Sequence, residues 1–266
     1  MDKGYGILII SATILVLSFL GTASATNWSV DGRGGADFIR IQEAINNASD
    51  GDTIIVHSCA YYENMVVDKS VTLRGIGQPV VDAGGEGNVI TLTADGITLE
   101  GFTVANSGRR SQSDAGINVN SSNNNITSNN VCNNNMNGIR LSSSSNNTIT
   151  GNNASNNYYN GIRLLDSSNN NTITGNDVSN NKHDGIYISS SINNTITGNV
   201  FVNDGLFVDE PYQSTVEGNI VNGKPLVYLE EVSNYKVEDA GQVILVNCNN
   251  ITVENLDLSH TSIGIS

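Results

Sequence analysis

The sequence predicts an all-β fold, a single right-handed parallel β-helix of about nine coils with three strands in each coil. Three observations lead to this prediction: a glycine-containing segment recurs at Gly116, Gly138, Gly161, Gly185 and Gly205, apolar residues alternate within each repeat, and 41 of the 266 residues are asparagine. A nearly fixed period of about 20 residues or more is typical of a solenoid, and apolar alternation is typical of strands. Asparagine favours turns over helix interiors, which argues against a helical bundle.

The repeat is most regular over residues 116–222, where each coil carries a Gly-Ile-x-Leu block followed by an Asn-Thr-Ile-Thr-Gly-Asn block. Coils of a parallel sheet are about 4.8 Å apart, so equivalent residues stack along the axis. Two inward apolar ladders are expected, one of Ile117, Ile139, Ile162, Ile186 and Leu206 and one of Ile126, Ile149, Ile173, Ile196 and Val216. An asparagine ladder is expected at a bend, because stacked amides bond to one another and Asn tolerates a left-handed backbone. Its members are Asn129, Asn152, Asn176, Asn199 and Asn219.

The first 25 residues have the order of a secretory signal peptide. Lys3 lies near the start, an apolar run covers residues 7–20, and Ala23-Ser24-Ala25 precede the expected cleavage site. The run is 14 residues long, whereas roughly 20 are needed to span a bilayer. We therefore expect an exported chain whose mature part, residues 26–266, is one β-helix domain with no membrane span.

Two segments and the C-terminal end depart from the repeat. Apolar residues within 37–48 fall on one helical face, which predicts a helix that caps the open sheet edge before the first coil. Residues 223–242 lengthen one repeat by about a dozen residues, which predicts an insertion on one face of the solenoid. Residues 263–266 look like the start of another rung. At this C-terminal edge we expect exposure, further coils or a partner.

Charge and cysteine content exclude some classes of function. The net charge is −14, so the chain offers no basic stripe to phosphates and we expect no nucleic-acid partner. Cys59, Cys132 and Cys248 are an odd and scattered set, which does not indicate a disulfide framework.

Several segments outside the regular repeats share a pattern with known proteins; they are residues 38–45, 50–56, 62–64, 71–75 and 222–228. Through them nearly the whole mature chain resembles the NosD-like family of right-handed β-helix proteins, which overlaps carbohydrate-binding and sugar-hydrolysing β-helices. The resemblance implies the fold, and its named members imply export and an accessory role in copper delivery to nitrous oxide reductase. The turn His57-Ser58-Cys59-Ala60 departs from the His-Pro-Gly-Thr usual in the family.

A strip of outward-facing side chains is the first candidate site. The third residue of successive Gly-Ile-x-Leu blocks is Asn118, Arg140, Arg163, Tyr187 and Phe207. Aromatic faces pack on sugar rings, and guanidinium groups pair with carboxylates. Arg140, Arg163, Tyr187 and Phe207 are therefore candidate ligand-binding residues for an extended anionic polymer. The same strip could instead be cross-strand stacking that stabilises the sheet.

Asp184 and Asp204, with His183 beside the first, are the candidate catalytic residues. Each aspartate precedes a rung glycine. In adjacent coils they would lie about 5 Å apart, which suits the carboxylate pair of a retaining glycosidase. Alternatively, Asp before Gly only serves a turn, as Asn137 and Asn160 do at the same position.

The sequence indicates no metal site and no cofactor. The three His, three Cys and three Met are scattered, without a Cys-x-x-Cys or a His-x-His, although copper would require such donors close together. The resemblance alone keeps copper open, and Ca²⁺ would enter only with lyase chemistry.

The expected function is that of an exported, non-catalytic surface protein with a structural or glycan-binding role. It would be secreted or held at the cell surface, or periplasmic in a double-membrane cell, and its partner would be a polysaccharide or surface glycan. Two alternatives stay open: a polysaccharide lyase or glycoside hydrolase, and a NosD-like copper-handling accessory protein.

Overall fold

The computed structural model describes residues 24–109, 113–210 and 212–266. Over these residues the chain is a right-handed parallel β-solenoid of about eight turns, which confirms the predicted fold class and comes close to the predicted number of coils. The expected signal peptide falls almost entirely outside the described residues. Within the described ranges, no helix has the length and apolar character needed to cross a membrane.

The described residues form one short helix and 28 strands. In chain order these are β1 (Asn27–Val30), α1 (Ile41–Asn47), β2 (Thr53–His57), β3 (Ala60–Tyr62), β4 (Met65–Val67), β5 (Thr72–Ile76), β6 (Val80–Asp82), β7 (Ile90–Leu92), β8 (Thr98–Glu100), β9 (Thr103–Ala105), β10 (Ala115–Val119), β11 (Asn125–Thr127), β12 (Asn130–Cys132), β13 (Asn137–Ser142), β14 (Thr148–Thr150), β15 (Asn153–Ser155), β16 (Ile162–Leu165), β17 (Thr172–Thr174), β18 (Asp177–Ser179), β19 (Ile186–Ile188), β20 (Thr195–Thr197), β21 (Val200–Val202), β22 (Leu206–Val208), β23 (Thr215–Glu217), β24 (Ile220–Val221), β25 (Lys224–Glu230), β26 (Ser233–Val237), β27 (Gln242–Val246) and β28 (Asn249–Val253).

The strands stack into three sheets that form the three sides of each coil. Sheet A has nine strands, in the order β1-β2-β5-β8-β11-β14-β17-β20-β23. Sheet B has ten, in the order β3-β6-β9-β12-β15-β18-β21-β24-β25-β27, and sheet C has seven, in the order β4-β7-β10-β13-β16-β19-β22. The chain visits A, B and C in turn, so each coil has an A/B, a B/C and a C/A bend.

The strand register stacks the residues that the repeat predicts. Ile117 pairs with Ile139 across sheet C, and Ile126 pairs with Ile149 across sheet A. The members of both predicted apolar ladders are buried, apart from the half-buried Val216 at the edge of sheet A. Like side chains therefore fill the core coil after coil.

Asparagine ladders lie at all three bends rather than at one. In each step the side-chain oxygen accepts hydrogen bonds from the backbone and side-chain amides one coil earlier; Asn152 Oδ1 accepts from Asn129 N at 3.0 Å and from Asn129 Nδ2 at 3.1 Å. The A/B ladder has the predicted members. The C/A ladder consists of Asn124, Asn147, Asn171 and Asn194, and the B/C ladder includes Asn134, Asn157 and Asn181.

The prediction that the ladder asparagines have a left-handed backbone is wrong by one residue. The residue before the ladder position has the positive φ, as at Ser128 with 56° and Gly151 with 61°. The ladder side chain must point into the bend to reach the next coil, so its neighbour makes the sharp change of direction.

The N-terminal helix is shorter than the predicted 37–48, spanning Ile41–Asn47. The preceding residues instead extend along β1, where Phe38 N donates to Ser29 O at 3.0 Å. The Glu63 carboxylate accepts from Ile41 N and Gln42 N, both at 3.0 Å, and so caps the helix start from the next coil. The expected capping role is confirmed in position, since α1 contacts both β1 and β4 at the open edge.

At each edge of sheet C, a glutamine side chain forms hydrogen bonds with the backbone of the edge strand. Gln42 Oε1 accepts from Val66 N at 2.8 Å, and its Nε2 donates to Val66 O at 3.2 Å, on edge strand β4. Gln242 does the same on edge strand β22, where it accepts from Leu206 N at 2.9 Å and donates to Leu206 O at 2.7 Å. Each amide satisfies an edge residue that would otherwise be open to pairing with another chain.

The predicted insertion, residues 223–242, begins a segment of reversed direction. Asn222 and Gly223 have φ values of 51° and 81° and form a two-residue turn, so β25 runs antiparallel to β24. Then β25 pairs with β27, β26 pairs with β28, and a small second core forms around Val243. This segment covers the C-terminal edge of sheets B and C. Among the described residues no strand follows β23 in sheet A, and a partner there stays a prediction.

Candidate functional site

The B/C bend carries a two-residue column whose members change from coil to coil. Tyr158 and Tyr159 in one coil are followed by Lys182 and His183 in the next, and backbone hydrogen bonds hold them in register. His183 N donates to Tyr159 O at 3.2 Å, and Tyr159 N donates to Met136 O at 3.0 Å. These positions stack aromatic and basic side chains at the solvent-facing corner of the solenoid.

Two cations lie close to the Tyr158 ring. The Arg109 guanidinium carbon is 3.8 Å from the ring centroid, and Lys182 Nζ is 4.1 Å from it. The hydrogen bond with Lys182, assisted by the charge of Arg109, lowers the pKa of the Tyr158 hydroxyl. Two full charges against one exposed ring create a local positive site.

The predicted strip adjoins this corner and has the predicted order. The register pairs Arg140 with Arg163, Arg163 with Tyr187, and Tyr187 with Phe207. The Tyr187 and Phe207 rings stack with centroids 5.3 Å apart and planes 11° apart. The Arg163 guanidinium carbon lies 5.2 Å from the Tyr159 centroid and 5.4 Å from the Tyr187 centroid. The strip and the bend thus form one surface, although its strand residues are half-buried.

The two arginines of the strip sit close together in a partly desolvated place. Arg140 Nη1 donates to the buried Asn118 Oδ1 at 3.0 Å. Burial, and secondly the positive charge of Arg163, lower the pKa of Arg140. An anion placed between the two guanidinium groups would relieve this repulsion.

We call this surface the cation–aromatic ridge, and its residues are Arg109, Arg140, Tyr158, Tyr159, Arg163, Lys182, Tyr187 and Phe207. It contains every described Lys and Arg between residues 75 and 223 of a chain whose net charge is −14. Sequence reasoning missed Arg109, Tyr158, Tyr159 and Lys182. The sequence contained a sign of these residues. The bend positions held by Asn135 and Met136 in one coil are held by tyrosines in the next coil, and by lysine and histidine in the coil after that.

The structure places Asp184 and Asp204 in different surroundings. Asp184 is half-buried, and burial raises the pKa of its carboxyl, while the charges of His183 and Arg163 act in the opposite direction. Asp204 is fully buried as the last member of the B/C ladder, where its Oδ2 accepts from Asn181 N at 3.0 Å and from Asn181 Nδ2 at 2.9 Å. Burial raises the pKa of Asp204 to about 7. Asp204 therefore serves the ladder and does not face solvent beside Asp184.

A cleft of about 410 Å³ separates this bend from the C-terminal segment. His183 and Asp184 lie on one side, and His260 and Ser262 lie on the other. Ser262 Oγ donates to His183 O at 3.1 Å and ties the two sides together. The cleft is polar and open, and it continues the ridge towards the C-terminal end.

A family model described as "Periplasmic copper-binding protein (NosD)" matches residues 45–208, which is more than half of the chain. The chain belongs to the NosD family. The resemblance read from the sequence is thereby confirmed.

Other similarities of this NosD-family chain extend to a surface protein and to lyases. It is 33% identical over 107 residues to a cell surface glycoprotein of Methanothermus fervidus, a match that covers 39% of this chain and 17% of the glycoprotein. Its fold is similar to an alginate lyase from Paenibacillus, with a TM-score of 0.60, 15% identity and coverage of 91% of this chain and 99% of the lyase. It is also similar to pectate lyase Pel9A, with a TM-score of 0.55, 15% identity and coverage of 91% and 79%. At these identities the two lyases show the shared fold alone.

The residue types that could bind copper are few in this NosD-family chain, with three His, three Cys and three Met. Copper requires clustered Cys, Met or His donors, and within the described ranges no three His, Cys, Asp or Glu side chains come together as a metal-binding group. Cys59, Cys132 and Cys248 are separate free thiols. Burial raises the pKa of Cys132, and Cys248 Sγ donates to Leu229 O at 3.3 Å.

Proposed function

We propose that this chain is an exported surface protein that binds an acidic polysaccharide along the cation–aromatic ridge without cleaving it. The periplasmic description of the NosD family and the similarity to a cell surface glycoprotein support an extracellular or periplasmic location. The ridge supports the ligand class, because its guanidinium groups can pair with carboxylates and the exposed parts of its rings add apolar contact area for sugars.

The observation that carries the proposal is the position of the Arg163 guanidinium, whose carbon lies 5.2 Å from the Tyr159 centroid and 5.4 Å from the Tyr187 centroid. A guanidinium that packs near two rings has fewer rotamers open to it, so less side-chain entropy is lost when it binds a carboxylate. The coils repeat at about 4.8 Å, which lets successive ridge residues meet successive units of an extended polymer. The rest of the acidic chain repels polyanions and favours docking at the ridge alone.

We expect Tyr187→Ser together with Phe207→Ser to weaken binding to polygalacturonate or alginate by roughly tenfold or more. A tenfold change corresponds to about 1.4 kcal/mol, and the variant removes the apolar contact area of two rings, of which each Å² contributes about 25 cal/mol. Isothermal calorimetry measures the affinity. Tyr62→Ser with Tyr235→Ser is the matched control, since it removes two exposed rings far from the strip in sequence.

Arg163→Gln tests the charge separately and leaves the Tyr187–Phe207 stack in place. Unchanged affinity in both ridge variants, with the fold intact by circular dichroism, would contradict the proposal. If the double ring variant unfolds while Arg163→Gln still binds normally, the strip stabilises the sheet and is not a binding surface.

A second candidate function, polysaccharide cleavage, is favoured by Asp184 at the cleft. Its carboxyl pKa is raised by burial, as a general acid requires, and His183 and His260 line the same space. We expect that, if the chain is an enzyme, Asp184→Asn abolishes the release of reducing ends or unsaturated sugars from acidic and neutral polysaccharides. Glu217→Gln, which changes an exposed carboxylate on β23, is the control. No release by the unaltered chain across these substrates would dispose of this alternative.

A further inference from the structure

The nine Asn-x-Ser/Thr sequences of the chain all fall on exposed asparagines. They are Asn27, Asn47, Asn120, Asn125, Asn146, Asn153, Asn170, Asn193 and Asn250. The structure buries 15 asparagines, and none of them is followed by Ser or Thr two residues later. The ladder positions and the Asn-x-Ser/Thr positions are therefore separate sets.

Three of these asparagines form a column at the C/A bend. Asn146, Asn170 and Asn193 occupy the same place in consecutive coils, with φ values of 58°, 57° and 57°. Each precedes a member of the C/A ladder, which holds the bend in its place. Among the described residues the three side chains make no hydrogen bond, so nothing structural depends on their amide nitrogens.

The hydroxyl residues of the three sequences are also in register. Thr148 pairs with Thr172, and Thr172 pairs with Thr195, across sheet A. The column thus presents the same Asn-Asn-Thr unit three times, at about 4.8 Å intervals, with the first residue always exposed to solvent.

We propose that this column is a site of N-linked glycosylation, with an oligosaccharide carried on a polyisoprenyl phosphate as the donor. The Asn Nδ2 attacks C1 of the sugar, a C–N bond forms, and the bond from C1 to the phosphate oxygen breaks. The phosphate leaves with the bonding electron pair, and the amide nitrogen loses one proton. The attached glycan projects from the C/A bend, whereas the bend residues of the cation–aromatic ridge lie at the B/C bend.

Crowding gives the column an uneven occupancy. Sugars on adjacent coils would start only one coil spacing apart, about 4.8 Å, so the middle position, Asn170, has a neighbour on each side. We expect more glycan at Asn146 and Asn193 than at Asn170. This modification is independent of the proposed ligand binding, because neither needs the residues of the other.

The test is glycopeptide mass spectrometry of the full chain secreted by its own host. We expect hexose-containing adducts on the peptides with Asn146 and Asn193, and a lower occupancy on the peptide with Asn170. The triple variant Asn146→Gln, Asn170→Gln and Asn193→Gln should lose the corresponding mass. Asn123→Gln is the matched control, because Asn123 is exposed in the same column, with φ of 61°, and lacks the third-position hydroxyl.

A second variant protects the test from folding effects. Thr148→Val, Thr172→Val and Thr195→Val keep all three asparagines and the β-branched shape, and should also remove the adducts. Unmodified peptides for all three positions in the secreted wild-type chain would overturn the proposal without any variant. Adducts that persist in the threonine variants would overturn it as well, since they would not be N-linked through this sequence.

Discussion

Asn152→Ala is expected to lower the free energy of unfolding by about 3–5 kcal/mol, a loss far above that of an ordinary surface substitution. Asn152 is buried in the middle of the A/B ladder. Its oxygen accepts from the backbone and side-chain amides of Asn129, and its Nδ2 donates to Ile126 O at 2.9 Å. Alanine leaves these buried groups without partners, and each such group costs about 1–3 kcal/mol.

Urea denaturation followed by circular dichroism measures this loss. Asn153→Ala is the control, because the adjacent Asn153 is exposed on β15 and its side chain makes no hydrogen bond within the described residues. Similar midpoints for the two variants would show that the ladder does not stabilise the solenoid.

Asp204→Asn is expected to stabilise the protein at pH 8, by at most about 4 kcal/mol, and to change little at pH 4. The raised pKa of about 7 compares with an unfolded value of about 3.9, and each unit corresponds to about 1.36 kcal/mol. The Asp204 side chain is buried with Oδ1 unpartnered among the described residues. An asparagine there would repeat the ladder pattern, in which Asn181 Nδ2 donates to Ala154 O at 2.9 Å.

Proton linkage determines whether Asp204 makes the protein more or less stable as the pH rises. Between the unfolded and folded pKa values, the folded state holds more protons on Asp204 than the unfolded state, so the stability falls as the pH rises. The contribution is fully present below about pH 4 and is lost by about pH 7. Within this window, desolvation of the carboxylate is the main cause, and the negative charge of Asp184 adds to it.

Urea midpoints at several pH values test this prediction. The unaltered chain should lose stability over this range, and Asp204→Asn should flatten the slope. Glu217→Gln makes the same change in net charge at an exposed carboxylate and should leave the slope in place. A steep slope that remains in Asp204→Asn would assign the pH dependence to another group.

The core and the A/B ladder could be predicted because sequence period translates directly into stacking. Ile126 and Ile149 occupy the same place in successive repeats and pair across sheet A. Any residue type that recurs at this spacing must lie in one column, so Asn129 and Asn152 could be found by counting alone. The chain contains few insertions between residues 116 and 222 that would break the count.

Asp204 was misplaced because its coil is short. Counted back from Gly205 it matches Asp184, but counted forward from Asn181 it falls at the same spacing that separates Asn129 from Asn152 in their ladder. Sequence alone does not show whether Asn181 or Gly205 is the correct reference residue for aligning this shortened coil. The structure places Asp204 inside the bend, because its carboxylate accepts hydrogen bonds from the buried amides of Asn181. Those hydrogen bonds stabilise the fold more than a solvent-exposed turn position would.

The reversed C-terminal segment carried a local signal that the repeat pattern concealed. Asn-Gly between apolar residues is a strong hairpin sequence, because both residues accept positive φ. Residues 222 and 223 form that turn and pair Val221 with Lys224.

The bend residues of the cation–aromatic ridge could not be predicted from the sequence for a different reason. The neighbours of a bend residue such as Tyr158 come from adjacent coils, and they can be identified only when the register between the coils is known.

The similarity of successive coils also affects how the length of the solenoid can change in evolution. Strands β14, β17 and β20 all have the sequence Thr-Ile-Thr, and each meets its neighbours through the same side chains. A duplication or deletion of one such unit would join surfaces that already match, while the glutamines that close sheet C would stay where they are. Mutations that add or remove whole coils could therefore change the length of the solenoid in steps of about 4.8 Å. The added coil would pack in the same way as its neighbours and would need no new core residues.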